Sequence, residues 1–338
     1  VVDFAAREPD GVRRAELERI AAVCAWVPAH APRDFWEAVQ YYWFVHLGVT
    51  TELNTWDAFS PGRLDQHLLP FYRKGLAEGT LTPVQAEELL HCLWIKFNNQ
   101  PAPPKVGVTA AESGTYTDFA QIGLGGLTPD GGDGVNEVTY LLLDVVEEMR
   151  LLQPSASVLV SKRNADSFVH RAARIVRTGF GQPSVFNADL IVQELVRQGK
   201  TLADARCGGS SGCVEVGAFG KENYNLTGYF NLPKVLEVTL HNGLDPRSGR
   251  EIGLATGDPR GFASFADLCD AFARQVRHFV DVKMRGNNVV ERLYATLMPA
   301  PFLSLLTDDC VVRGRDYHDG GPRYNTSYIQ GVGLGTMA

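Results

Sequence analysis

Between residues 157 and 198 short apolar runs alternate with helical segments, and this alternation limits the fold more than any other feature of the 338-residue chain. SVLVS at 157–161 leads into a helix-forming stretch over 166–177, and PSVFN at 183–187 leads into another over 188–198. Apolar runs of five residues bounded by turn signals read as buried strands. Strands that alternate with helices build a sheet buried on both faces, which makes α/β the fold class.

Helical periodicity extends on both sides. RRAELERIAAVCAWV at 13–27 and PRDFWEAVQYYWFVHLG at 32–48 place aromatic and aliphatic residues three and four apart, with Pro32 suited to a helix start. Further helices are expected over 64–74, over 86–97 with Thr82 as cap, over 135–152 and over 262–283. NTWDAFSPG at 54–62 breaks the pattern, and the prolines of KFNNQPAPPKVGV force extended or turning backbone. Residues 114–134, rich in glycine, read as a long loop. No internal repeat or low-complexity tract interrupts this order.

Composition narrows the function classes. The chain is 45% hydrophobic and 21% charged, enough to bury a large core and too apolar for disorder. Its 32 cationic and 39 anionic side chains leave a net charge of −7, which gives little reason to expect attraction to nucleic acid or an anionic membrane. No apolar run approaches the ~18 residues of a membrane span, and VVDFAAREPDGVRR has no signal-peptide layout. Six cysteines without a CxxC pair read as reduced intracellular thiols, placing the protein in the cytoplasm. The N-terminus lacks an initiator Met and the C-terminus stops in SYIQGVGLGTMA, so both ends read as provisional.

The densest chemical signal is RCGGSSGCVEVGAFGKENYNLTGY at 206–229. Cys213 and Glu215 are two apart, so on extended backbone both side chains face one way, and the flanking glycines permit a tight turn. A carboxylate beside a thiol raises the thiol pKa, which disfavours thiolate nucleophilic catalysis and suits hydrogen-atom chemistry. The plain alternative is a buried cysteine in a Gly-rich hairpin next to a surface acid.

SSGCVEVGAFGKENYNLTGYFNLPKVLEVTLHNG closely resembles the active-cysteine region of the glycyl radical enzymes, the superfamily that includes pyruvate formate-lyase. FWEAVQ, WDAFSPGRLDQ, LLQPSASV with GFGQPSVFN, and TDDC before GGPRYNTSYIQGVG resemble other segments of that family in its usual order. The resemblance spans essentially the whole chain. It implies that residues 1–338 are the central part of a ten-stranded β/α barrel, itself two antiparallel halves of five strands. It further implies that Cys213 becomes a thiyl radical that takes hydrogen from substrate. The radical would be stored on a glycine of an RVxGY-type motif and installed by a separate activase dependent on S-adenosylmethionine and an iron-sulfur cluster. That motif is absent from the sequence, so the radical glycine is expected beyond Ala338 and this fragment alone would not turn over. No directly bound cofactor or metal is expected. The family also implies a homodimer for the full-length protein and an anaerobic setting.

Within the family, GCVEVGAFGKE and LTGYFNLPK look most like the trans-4-hydroxyproline dehydratases and the arylacetate decarboxylases. Pyruvate formate-lyase uses two neighbouring cysteines, whereas Val214 stands here, and choline lyase and glycerol dehydratase follow the Cys-x-Glu with proline where this chain has Val216. The dehydratase resemblance puts Asp57, Asp118, Phe119, Cys213, Glu215 and Tyr229 in or beside the pocket. Glu215 would protonate the departing hydroxyl, Asp57 would hold a cationic ring nitrogen, Phe119 and Tyr229 would wall the pocket and Asp118 would orient its neighbours. Asp57 and Asp118 could equally cap turns, and both aromatics could be core residues.

The histidines do not cluster at metal-ligand spacing, and GGPRYN lacks the Lys and Ser/Thr of a phosphate-binding loop. Arg323 and Tyr324 are expected to be structural. Two non-enzymatic classes stay open: a barrel descendant without the radical glycine, and a small-molecule binding domain indifferent to Cys213.

Overall fold

The computed structural model describes residues 1–53, 59–99, 120–212 and 214–337. They form two compact units, Val1–Lys221 and Glu222–Ala338.

The first unit opens with helices α1 (Val2–Arg7), α2 (Gly11–Trp26), α3 (Phe35–Leu53), α4 (Leu64–Glu78) and α5 (Pro83–Asn99). The starts of α2, α3 and α5 have a local cause. The Asp10 carboxylate accepts the amide protons of Val12 and Arg13, and Thr82 Oγ1 accepts that of Gln85 while Gln85 Oε1 accepts that of Thr82. Pro32 is not the start of α3; Asp34 is its N-terminal acceptor, taking the amide proton of Glu37 at 2.9 Å. Gly79, in the left-handed conformation, ends α4 a turn later than the sequence suggests.

Strands β1 (Gln121–Gly125), β2 (Ser155–Val160) and β3 (Ser184–Asn187) form a parallel sheet in that order, with helices α6 (Glu137–Met149) and α7 (Asp166–Val176) as the intervening crossovers. Pairing aligns Gln121 with Ser155 and Ser157 with Ser184. The peptide bonds Gln153–Pro154 and Gln182–Pro183, ahead of β2 and β3, are both cis. Helices α8 (Ala188–Arg197) and α9 (Leu202–Arg206) follow.

β1 corrects the expected loop over 114–134. All five of its residues are buried, and an isolated parallel bridge joins Ile122 to Gly62. Glycines hide this strand because they are depleted from strands in general. Here Gly125 has φ +75°, and a Cβ on it would lie 2.5 Å from the Phe168 ring. The core around the sheet includes Phe35, Trp43, Trp94, Phe97, Leu142 and Phe168.

A short antiparallel hairpin closes the unit, β4 (Gly209–Ser211) with β5 (Glu215–Gly217). The second unit contains β6 (Glu222–Asn231), α10 (Leu232–Leu240), a small hairpin β7 (Leu244–Asp245) with β8 (Arg250–Glu251), α11 (Phe265–Leu297), α12 (Pro301–Leu306), α13 (Cys310–Arg313), β9 (Tyr324–Val332) and α14 (Leu334–Met337). β6 and β9 pair in parallel, with a shift of register between Leu226 and Tyr229. α11 starts at a capping box of Ser264 and Asp267 and runs 33 residues, well past the expected end at 283. The architecture is α/β with parallel and antiparallel pairs that do not close into a barrel among the described residues.

Candidate active site

The 206–229 segment folds as its glycines dictate. Gly208 needs to be glycine because a Cβ there would lie 2.2 Å from the carbonyl oxygen of Gly217 on the opposing strand. The register pairs Gly209 with Gly217, Ser210 with Val216 and Ser211 with Glu215. Residues 212–214 connect the strands, and Cys213 itself lies outside the described residues.

Glu215 is half-buried at the start of β5. Its Oε2 accepts the amide proton of Val214 at 3.0 Å and lies over Gly212, 2.9 Å from where a Cβ would stand. The carboxylate therefore folds back over the turn. Two serine contacts fasten β4 to the elements beneath it. The buried Ser210 hydroxyl donates to Ser157 Oγ of β2 at 3.0 Å, and Ser211 Oγ lies 3.2 Å from Ser60 Oγ, which accepts the amide proton of Gln121 at 3.1 Å. The hairpin thus rests on the sheet rather than on a mobile loop.

Arg63 and Asp65, both within the GRLDQ run, have no role in the expected site. Both are buried at the start of α4. The Arg63 guanidinium donates from NH1 to the carbonyls of Arg206 at 3.1 Å and Gly208 at 3.4 Å. From NH2 it donates to those of Gly125 and, at 3.0 Å, Leu127. Burial pulls the guanidinium below its ordinary pKa, with Asp65 opposing that shift. Asp65 Oδ2 accepts from the Gly125 amide at 2.7 Å and from Thr139 Oγ1 at 2.7 Å. The sequence signal was two opposite charges two residues apart beside a glycine, which most often marks a solvated turn.

Of the other expected site residues, Asp57, Asp118 and Phe119 lie outside the described residues. Tyr229 stands on β6 of the second unit, 66% exposed and opposite Gln330. In that unit Glu222 is buried and accepts from Thr326 Oγ1 at 2.5 Å and Tyr328 OH at 3.4 Å, while the Tyr224 and Tyr328 rings stack at 5.4 Å. Arg323 pairs with Asp308 and Asp309 at 3.3 and 3.1 Å, a structural use of the TDDC and GGPRYN segments. His46 and His318 are satisfied core histidines, the first 3.2 Å from Tyr42 OH and the second 2.8 Å from the Met298 carbonyl.

Glu87, His91 and Glu148 bring ligand atoms within 4.8 Å of one another. Glu148 is 58% exposed, an ordinary environment for surface acids beside a histidine. No helix among the described residues is long and apolar enough to cross a membrane.

The sequence profile of the pyruvate formate lyase-like family matches residues 2–338. A trans-4-hydroxy-L-proline dehydratase from Clostridioides difficile is 57% identical over 334 residues, covering 99% of this chain and 42% of that protein. The crystal structure of hydroxyproline dehydratase from Clostridioides difficile, with substrate trans-4-hydroxy-L-proline bound, superposes with a TM-score of 0.94 over 99% of this chain and 42% of its own, at 57% identity. A glycyl radical enzyme from Archaeoglobus fulgidus superposes with a TM-score of 0.89 at 36% identity, over 99% of this chain and 43% of its own. The chain therefore spans less than half the length of these relatives. The match along nearly all of its residues places the chain in the pyruvate formate lyase-like family of glycyl radical enzymes.

Proposed function

We propose that this chain carries the reacting cysteine and acid of a radical C–O lyase, a dehydratase acting on trans-4-hydroxy-L-proline. The observation that carries the reading is the 57% identity, over 99% of the chain, to a trans-4-hydroxy-L-proline dehydratase. A glycyl radical, installed by an S-adenosylmethionine and iron-sulfur activase, supplies the unpaired electron that turns the Cys213 thiol into a thiyl.

In this reading Cys213 takes a hydrogen atom from the carbon next to the C–OH carbon. Glu215 gives a proton to the hydroxyl, the C–O bond breaks and water leaves. The ring ammonium returns one proton to an enzyme carboxylate, for which Asp57 is the candidate. The unsaturated radical then regains the hydrogen atom from Cys213, so the net change is loss of one water and the thiyl is restored. The resemblance to the dehydratases would add Phe119 as an apolar wall and Asp118 as an orienting group. The hairpin supports the assignment of Glu215, since its carboxylate accepts from the Val214 amide and lies over Gly212, the two described neighbours of residue 213 in sequence.

The test is anaerobic incubation of the activated full-length protein with trans-4-hydroxy-L-proline and, separately, 4-hydroxyphenylacetate. A pyrroline carboxylate from the first supports dehydration. Carbon dioxide and p-cresol from the second, with no turnover of the first, overturns it in favour of decarboxylation.

A further inference from the structure

We infer that Arg63 is a positioning residue for the catalytic turn, holding the backbone that enters the Glu215 hairpin against the end of β1. The inference rests on the reading of Cys213 and Glu215 given above.

The four carbonyls that Arg63 engages belong to two separate stretches of chain. Gly125 and Leu127 lie at the end of β1, whereas Arg206 and Gly208 lead directly into β4. One guanidinium therefore bridges sheet and hairpin. The sheet side is itself fixed, because Gly125 is gripped at its carbonyl by Arg63 and at its amide by Asp65, whose second donor is Thr139 on α6. The hairpin side is held by Arg63, by the Arg206 guanidinium, whose NH1 donates to the Pro129 carbonyl at 3.2 Å, and by the serine contacts of β4. A planar fork with five donors can serve both stretches at once; a lysine offers a compact charge with three donors and cannot span them in the same geometry.

This matters for the chemistry because hydrogen-atom transfer needs the reacting atoms near contact. Displacement by about 1 Å at a distance from the reacting centre can cost on the order of 10²-fold in rate. Arg63 touches neither substrate nor the reacting atoms in this account; it acts through the backbone from Arg206 to Gly208.

The experiment compares Arg63→Lys with Leu142→Ala in the activated full-length protein. Leu142 is fully buried on α6, so its truncation loosens the same unit without touching the hairpin contacts. Turnover is normalised to glycyl radical content by electron paramagnetic resonance. For Arg63→Lys, kcat per radical is expected to fall about 10²-fold with KM changed less than about threefold, and the deuterium isotope effect on hydrogen abstraction to rise. Leu142→Ala should keep kcat per radical and the isotope effect. Unchanged kcat and isotope effect in Arg63→Lys, or equal changes in Leu142→Ala, overturn the inference.

Hydrogen exchange of the 206–217 segment in the unactivated protein needs neither radical nor substrate. It should be faster in Arg63→Lys than in Leu142→Ala, and equal protection overturns the inference. A parent enzyme that ignores trans-4-hydroxy-L-proline sinks the substrate assignment and leaves the exchange result to decide the role of Arg63. If Arg63→Lys does not fold, Arg63→Ala refolded with added guanidinium replaces it, with recovery of exchange protection expected and no recovery contradicting the inference.

Discussion

Glu215 Oε2 accepts the amide proton of Val214 at 3.0 Å, which turns the acid back over the residue that separates it from Cys213 in sequence. A glutamine can keep that acceptor oxygen but cannot release a proton. Glu215→Gln should therefore retain the hairpin and lower kcat about 10²- to 10⁴-fold, the range for loss of a general acid. Steady-state kinetics with an unchanged far-ultraviolet spectrum is the check, and unaltered turnover would remove the acid role.

Gly208 and Gly217 approach too closely for any side chain between them. Gly208→Ala should force the strands apart, at a cost of about 1–3 kcal/mol typical of overpacking. Denaturant unfolding measures the loss of stability. Activity should fall further than stability alone explains, because the displaced backbone carries Glu215.

Glu37 is buried near the start of α3 and accepts from the Arg33 amide at 2.8 Å and from its guanidinium at 2.5 Å. The Arg33 hydrogen bond is the main cause holding this carboxyl below the usual carboxylate range, while burial opposes it. A lowered folded-state pKa contributes stability above the unfolded value of about 4.3, lost as pH falls through the folded value. Glu37→Gln should therefore lower Tm most at neutral pH and converge with the parent as pH drops below about 4. A Tm difference independent of pH would contradict this.

Cys310 is 2% exposed, and burial, with a smaller contribution from Asp316, pushes its thiol pKa up. Cys269 is exposed on α11. Iodoacetamide at mildly alkaline pH should label Cys269 in the folded protein and reach Cys310 only on unfolding, as mass spectrometry of the two peptides would show.

The parts of the fold legible in sequence are those with a strong period or a cap. The amphipathic α7 and α8 and the apolar β2 and β3 fall where alternation puts them, and Thr82 caps α5. β1 escaped because Gly123 and Gly125 serve close approach to Gly62 and Phe168, a tertiary requirement that looks locally like a loop. β6 and β9 escaped for a related reason: their paired residues lie just over a hundred positions apart, and the strands carry Asn, Thr and Gly instead of β-branched runs. The helix expected over 262–283 overruns that end, since α11 continues through Gly286, Asn287 and Asn288 with Asn287 buried. At the site, the Cys213–Glu215 spacing was visible because both chemical groups are local in sequence. Arg63 was not, since its meaning lies in carbonyls 62 to 145 residues away.

The measurement that bears most directly on the central claim is turnover of trans-4-hydroxy-L-proline by the activated full-length protein with Cys213→Ser, beside the parent, at matched glycyl radical content. A pyrroline carboxylate from the parent and none from the variant, with the radical signal present in both, is the predicted result. Product formed by the Cys213→Ser protein at the parent's rate would contradict the assignment of Cys213 as the hydrogen-abstracting residue.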